Sequence, residues 1–122
     1  MARPAPHWKD NVSALATAER ASWIAVLPLG AHEQHGPHLP PETDTIIATG
    51  LVERTIARLP ATLPVTFLPT EAIGYSVEHA DFAVTRSLSY EEAISRWLAI
   101  AEDLVKLGIR KLVLFNAHGG NS

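Results

Sequence analysis

The sequence predicts an α/β domain built on a mainly parallel sheet. Apolar runs that suit buried strands, at residues 23–29, 63–69 and 111–115, alternate with segments of helical spacing. This alternating order favours parallel strands joined by right-handed crossovers. The loops that follow the strands would then lie along one edge of the sheet, where open α/β sheets bind their ligands.

The N-terminal elements follow in order. Residues 1–10 are proline-rich and predict a flexible arm, and residues 11–122 predict a single domain or part of one. A short helix is predicted over 11–20, with Asn11 as a candidate cap. The uninterrupted apolar run 23–29 predicts a strand buried on both faces. Residues 30–43 contain three prolines and Gly36, which predicts a stiff loop.

The second helix and strand are predicted at 45–59 and 63–69. Asp44 is a candidate N-cap for this helix. Its buried side is predicted to consist of four aliphatic residues: Ile46, Ile47, Leu51 and Ile56. Residues 70–87 form a long polar loop, and loops of that length in compact domains are usually functional.

The last helix has the clearest boundaries. Ser89 and Glu92 have capping-box spacing, and Gly108 is a candidate C-cap. Four apolar positions keep helical spacing between them: Ile94, Leu98, Ala101 and Val105. Residues 111–115 predict the third strand, and 116–122 a glycine-rich turn. Because three strands alone leave edges exposed, we expect the N-terminal half of a larger domain, truncated after the third strand, or a chain that another completes.

Composition excludes several classes of function. A net charge of -3 over 122 residues provides no basic surface for nucleic acid. The chain has no cysteine, which excludes disulfides, thiolate zinc sites and thiol nucleophiles. No apolar segment has membrane-spanning length, and the N-terminus lacks a signal-peptide core, so a cytoplasmic protein is expected.

Residues 31–45 concentrate carboxylate and imidazole groups, and His118 follows the third strand at the same predicted edge. Glu33, His35, Asp44 and His118 are therefore candidate metal ligands. Asp and Glu can bridge because each has two oxygens. Two ions about 3.5–4 Å apart can hold and acidify one water. Four converging donors are hard to explain as ordinary loop residues.

Some of these residues have structural alternatives. Asp44 would also serve as a helix cap, and the two roles are compatible. His38 is about equally well explained as a hydrogen-bonding support for a ligand and as plain loop. Glu78 and His79 lie on the second loop and are best predicted as surface residues.

Two other kinds of site have weaker support in the sequence. The segment 116–122, NAHGGNS, resembles an anion cradle of a half-Rossmann module, but it lacks the lysine of a P-loop and GxGxxG spacing. A Ser-His-Asp triad is not supported, because neither Ser76 nor Ser122 has nucleophile-elbow context.

Three segments together resemble the creatininase (creatinine amidohydrolase) family: LPLGAHEQHGPHLPPETDT at 27–45, GYSVEHADF at 74–82 and NAHGGNS at 116–122. The resemblance implies a three-layer α/β/α fold, often assembled as hexamers, and two divalent ions, zinc or manganese, with iron as a further option. It also implies that Glu33 and His118 bind one ion, His35 binds the other, and Asp44 bridges them.

The chain departs from the family pattern at two places. Gly120 stands where creatininase proper has a glutamate ligand, and in relatives with His-Gly-Gly-Asn an acid from the C-terminal half is expected to replace it. Phe82 is followed by Ala-Val-Thr instead of Pro-Gly-Thr. Creatinine is therefore not a safe substrate assignment, and relatives acting on formylamino-pyrimidines or in peptide-cofactor maturation fit equally well.

The resulting hypothesis is a metal-dependent amidohydrolase that cleaves a non-peptide C–N bond, a cyclic amide or formamide, through a metal-activated water. No catalytic acid is identified. The expected partners are a small-molecule amide and either further copies of the chain or a C-terminal partner segment, without nucleic acid or membrane. The alternative is a truncated, non-catalytic module or subunit of a larger assembly.

Overall fold

A computed structural model of the chain describes residues 12–13, 15–60 and 62–122. Strands β1 (Ile24–Leu29), β2 (Val65–Phe67) and β3 (Lys111–Asn116) form a parallel sheet in the order β2-β1-β3. The predicted α/β class is confirmed. The predicted arm at 1–10 and the candidate cap Asn11 lie outside the described residues.

Helices cover both faces of this sheet. Helix α1 spans Thr17–Arg20, α2 spans Thr43–Arg58 and α3 spans Tyr90–Leu107. Because side chains alternate along a strand, one face of β1 packs into a core with α3 and the other face packs with α2. The α3 side contains Ala25, Leu27, Leu29, Trp97, Ile100 and Leu104. The α2 side contains Ile24, Val26, Val52 and Ile56.

The helix predicted over 11–20 is interrupted. Residues 12–13 are helical, but Leu15 lies in a bend and Ala16 has extended backbone angles, and α1 then begins at Thr17. The prediction of a continuous helix over 11–20 is therefore wrong.

Two predictions about α2 are also wrong. Its N-cap is Glu42, and Asp44 lies inside the first turn instead of capping it. Ile46, Ile47 and Leu51 are exposed, and the buried face contains Asp44, Ala48 and Val52. Since these three residues are four apart, one face of the helix carries them together. Burying Asp44 turns Ile46 and Ile47 outward, while Ile56 packs against the core as predicted.

Helix α3 has the predicted ends. The Ser89 hydroxyl accepts a hydrogen bond from the Glu92 backbone N–H at 3.1 Å, and Glu92 reciprocates by accepting from the Ser89 N–H at 2.9 Å. Gly108 adopts a left-handed conformation, with φ 91°. The core side of α3 is Ala93, Trp97, Ile100 and Leu104, whereas the helically spaced residues Ile94, Leu98 and Val105 are exposed.

Edge strand β3 leaves Val113 and Leu114 exposed as well. Two short 3₁₀ turns complete the fold: Val77–His79 lies in the long loop after β2, and Gly119–Asn121 follows β3. Within the described part of the chain, every helix is too short or too polar to cross a bilayer.

A matched pair of glycine substitutions tests the junction between β1 and α2. A Cβ on Gly30 would overlap Thr45 Oγ1 and lie 2.7 Å from Thr45 Cα, while a Cβ on Gly50 would meet no atom within 4 Å. We expect Gly30→Ala to lower the free energy of unfolding by about 1–3 kcal/mol through overpacking. Gly50→Ala should raise it by about 0.5–1 kcal/mol, since alanine favours the helix. Urea unfolding followed by circular dichroism measures both, and equal stability of the two variants would contradict the packing at Gly30.

Candidate metal centre

The loops after the three strands meet at one edge of the sheet. The Gly30 N–H donates to the Glu71 carbonyl at 2.8 Å, which joins the ends of β1 and β2. The Ala117 N–H donates to the Leu29 carbonyl at 2.9 Å, which joins the ends of β1 and β3. Side chains on these loops are thereby brought within reach of one another, as the parallel order predicts.

The Asn121 side chain ties the same loops together. Its amide NH₂ donates to the Gly30 carbonyl at 3.1 Å, and its amide oxygen accepts from the Tyr75 N–H at 2.9 Å. Gly74 leaves room for this approach, because a Cβ there would overlap Asn121 Oδ1 and lie 2.7 Å from the Gly30 carbonyl oxygen. One side chain from the last turn therefore holds the first two loops in place.

The structure brings the four predicted ligands together. Asp44 Oδ1 lies 3.1 Å from His35 Nε2, and Asp44 Oδ2 lies 2.8 Å from His118 Nδ1. Glu33 Oε1 lies 3.2 Å from the same His118 nitrogen. The side chains of Glu33, Asp44 and His118 are buried, with exposed fractions of 4%, 9% and 6% for these residues. Asp44 thus presents one oxygen to each imidazole.

A backbone carbonyl orients the His35 ring. His35 Nδ1 is 3.0 Å from the Glu33 carbonyl oxygen, so this nitrogen donates and Nε2 points at Asp44. The hydrogen bond to that carbonyl raises the pKa of His35, and the Asp44 carboxylate adds to the rise while burial opposes it. In the metal-free chain this contribution to stability is complete below the pKa of an unfolded histidine and is lost as the pH rises through the elevated value.

His118 is oriented in the same way from the second loop. Its Nε2 lies 3.1 Å from the Tyr75 carbonyl oxygen and 3.1 Å from Ser76 Oγ. A carbonyl oxygen can only accept, so Nε2 donates to it, and Nδ1 is the nitrogen that faces the carboxylates and could bind an ion. Ser76, His118 and Asp44 therefore line up like a catalytic triad. Ser76, however, is 0% exposed, which closes its hydroxyl to a substrate and makes it a support for the ring.

Two residues predicted as surface also reach the cluster. His79 Nδ1 lies 2.8 Å from Glu33 Oε2, and the exposed Glu78 places Oε1 3.4 Å from His118 Nε2. The unusual length of their loop and its position after a strand were the sequence signals for this proximity. His38, in contrast, is exposed, as expected for plain loop.

Gly120 gives the cluster the space that it needs. A Cβ there would overlap the Tyr75 carbonyl oxygen and would lie 2.5 Å from His118 Nε2 and 2.8 Å from Glu78 Oε1. Where creatininase proper has a glutamate, this chain has no room for a side chain beside His118. The neighbouring Gly119 has open space around it.

The donor set fits divalent cations. Two groups of donor atoms, each within 4.8 Å of one another, occur among the described residues: Glu33, His35 and Asp44, and Glu33, Glu78 and His118. Glu33 and Asp44 form no ion pair with a lysine or arginine of the described chain. Buried carboxylates need compensating charge, and oxygen and imidazole donors are those that zinc and manganese accept.

Known proteins share both the sequence and the fold. The "Mycofactocin precursor peptide peptidase" of Mycobacterium tuberculosis (strain ATCC 25618 / H37Rv) is 44% identical over 102 residues, which cover 79% of this chain and 40% of that protein. A solved structure described as "Creatininase Mn" superposes with a TM-score of 0.78 at 29% identity, over 94% of this chain and 44% of that one. A mutant creatininase of "Zn-Zn type" gives 0.73 at 28% identity, with coverage of 94% and 44%.

The chain thus spans less than half the length of the relatives that it matches. The family profile described as creatinine amidohydrolase matches residues 10–122, nearly the whole chain. The predicted family resemblance is confirmed, and the chain belongs to the creatininase family.

Proposed function

We propose that Glu33, His35, Asp44 and His118 hold two divalent ions and that this centre hydrolyses an amide C–N bond. One observation carries the proposal: the two oxygens of Asp44 face different imidazoles, His35 Nε2 at 3.1 Å and His118 Nδ1 at 2.8 Å. A carboxylate placed in this way can be shared by two ions. This arrangement supports Asp44 as the ligand shared by the two proposed ions.

The chain's own groups prepare this centre. Backbone carbonyls of Glu33 and Tyr75 accept a hydrogen bond from the outer N–H of each imidazole, which leaves the inner nitrogen to donate its lone pair to a bound ion. Burial of Glu33 and Asp44 keeps water from screening their charge. A bound pair of divalent ions would supply Lewis acidity toward the amide carbonyl and an acidified water.

Zinc and manganese are the proposed metals. The oxygen and imidazole donors suit both ions. The descriptions of two similar solved structures also name them, one with "Mn" and the other as "Zn-Zn type". The chain has no thiolate that would favour a softer metal.

Two substrate classes are proposed for the amide. A peptide bond is supported by 44% identity to a protein named as a precursor peptide peptidase. The cyclic amide or formamide inferred from the sequence is supported by the family's description as creatinine amidohydrolase. Assembly with further copies or with a C-terminal partner segment, and a cytoplasmic location, stay predictions.

The first prediction concerns His35. Because His35 is the only imidazole among the described residues that faces Asp44 Oδ1, His35→Ala should reduce bound manganese or zinc from two ions to one per chain and stop turnover. Metal content after equilibration and desalting, measured by mass spectrometry, gives the stoichiometry. His38→Ala is the matched control, since His38 is exposed on the same loop. Two ions retained by His35→Ala, with full activity, would reject the assignment.

The second prediction concerns the glycine pair after β3. Gly120→Ala should weaken metal binding about 10- to 100-fold by displacing His118 from its supports. Gly119→Ala should bind as the wild type does, because its Cβ enters open space. Competition with a chromophoric chelator measures both affinities. Equal affinity of the two variants would show that the contacts around Gly120 do not position His118.

A third experiment separates an enzyme from a non-catalytic module. The chain, alone and with any C-terminal partner segment, is incubated with a peptide, a formamide and a cyclic amide, and new amine and carboxylate groups are detected by mass spectrometry. We expect cleavage of one class, its loss on chelation and its return with Mn²⁺ or Zn²⁺. Two bound ions without cleavage of any substrate would favour the non-catalytic module over an enzyme. Cleavage that survives complete metal removal would refute the proposed mechanism.

A further inference from the structure

His79 contacts the most buried carboxylate of the metal centre. Its Nδ1 lies 2.8 Å from Glu33 Oε2, while the other oxygen of that carboxylate, Oε1, lies 3.2 Å from His118 Nδ1. The two oxygens of Glu33 therefore have separate partners. One faces the cluster, and the other faces the second loop.

This division matters because a glutamate carboxylate is easily rotated. The terminal torsion of glutamate is broad, so burial alone does not fix the plane of the carboxylate. A hydrogen bond from His79 to one oxygen, Oε2, holds that plane so that the other oxygen points at His118. Without that bond a buried carboxylate oxygen would lose its donor, which is unfavourable.

His79 is itself held in place within its own segment. It ends the 3₁₀ turn Val77–His79, and its backbone N–H donates to the Ser76 carbonyl at 3.1 Å. The imidazole meets the Phe82 ring edge-on, with centroids 6.1 Å apart. The same short stretch supplies Ser76 to the His118 ring, so one turn supports ligands from two other loops.

We propose that His79 is a positioning residue that donates from Nδ1 to one oxygen of Glu33 and so holds the carboxylate plane with the other oxygen toward the ions. The inference rests on the proposed metal site. His79 lies outside both groups of mutually close donors, and its side chain is 39% exposed against 5% for Glu33. Both features separate it from the residues proposed as ligands. Histidine and carboxylate partners behind metal ligands are common supports of this kind.

Two substitutions test this role. His79→Ala removes the donor, whereas the amide nitrogen of His79→Asn stands the same number of bonds from Cα as Nδ1 and can donate to Oε2. We expect His79→Ala to keep two Mn²⁺ ions per chain but to bind them about 10- to 100-fold more weakly. His79→Asn should recover most of the affinity. His38→Ala, from an exposed position, should equal the wild type.

The readouts are Mn²⁺ affinity by chelator competition, ion stoichiometry and thermal unfolding by circular dichroism. If His79→Ala binds Mn²⁺ as tightly as the wild type, the positioning role is wrong while the metal site stands. Loss of one ion in His79→Ala that asparagine does not restore would make His79 a ligand and also overturn the role. If the wild type binds no ion, the proposed function and this inference both fail. Should His79→Ala not fold, the affinity of His79→Asn decides: near-wild-type binding supports the role, and a loss of tenfold or more overturns it.

Discussion

The position of Asp44 between two imidazoles is the constraint on which the rest of the site depends. A buried carboxylate is costly unless charge and hydrogen bonds compensate it, and here His35 and His118 provide the contacts, at 3.1 Å and 2.8 Å. Placing Asp44 inward requires α2 to present its Asp44, Ala48 and Val52 face to the sheet. The same rotation exposes Ile46 and Ile47. Chemistry at the helix start therefore decides which side of the whole helix is buried.

Backbone groups do much of the work of orienting the donors. The carbonyls of Glu33 and Tyr75 determine which nitrogen of His35 and His118 faces the carboxylates. The turn after β3 must come close enough for this, which is why Gly120 has no room for a Cβ and why Asn121 reaches the Gly30 carbonyl. The proposed metal centre would need close-packed loops as much as it needs ligands.

Local signals in the sequence predicted most of the elements. The Ser89–Glu92 capping box and Gly108 gave correct ends for α3, because caps depend on a few adjacent residues. The apolar runs predicted all three strands, although β2 is confined to Val65–Phe67. The buried face of a helix was harder to predict than its ends, because the apolar residues Ile94, Leu98 and Val105 have helical spacing but are exposed. Spacing identifies a helix, but the elements that surround it decide which apolar side is covered.

The sequence by itself determined the parallel α/β class, the sheet edge that carries the candidate site and four candidate donors, Glu33, His35, Asp44 and His118. Each of these follows from residue types and from the order of helical and extended segments along the chain. Only the tertiary structure decided how those donors are oriented and that His79 reaches Glu33 Oε2. That contact joins residues 46 positions apart, and no local pattern specifies the distance between two loops. It arises from the packing of strands and turns, which hold each loop at a definite place on the sheet edge.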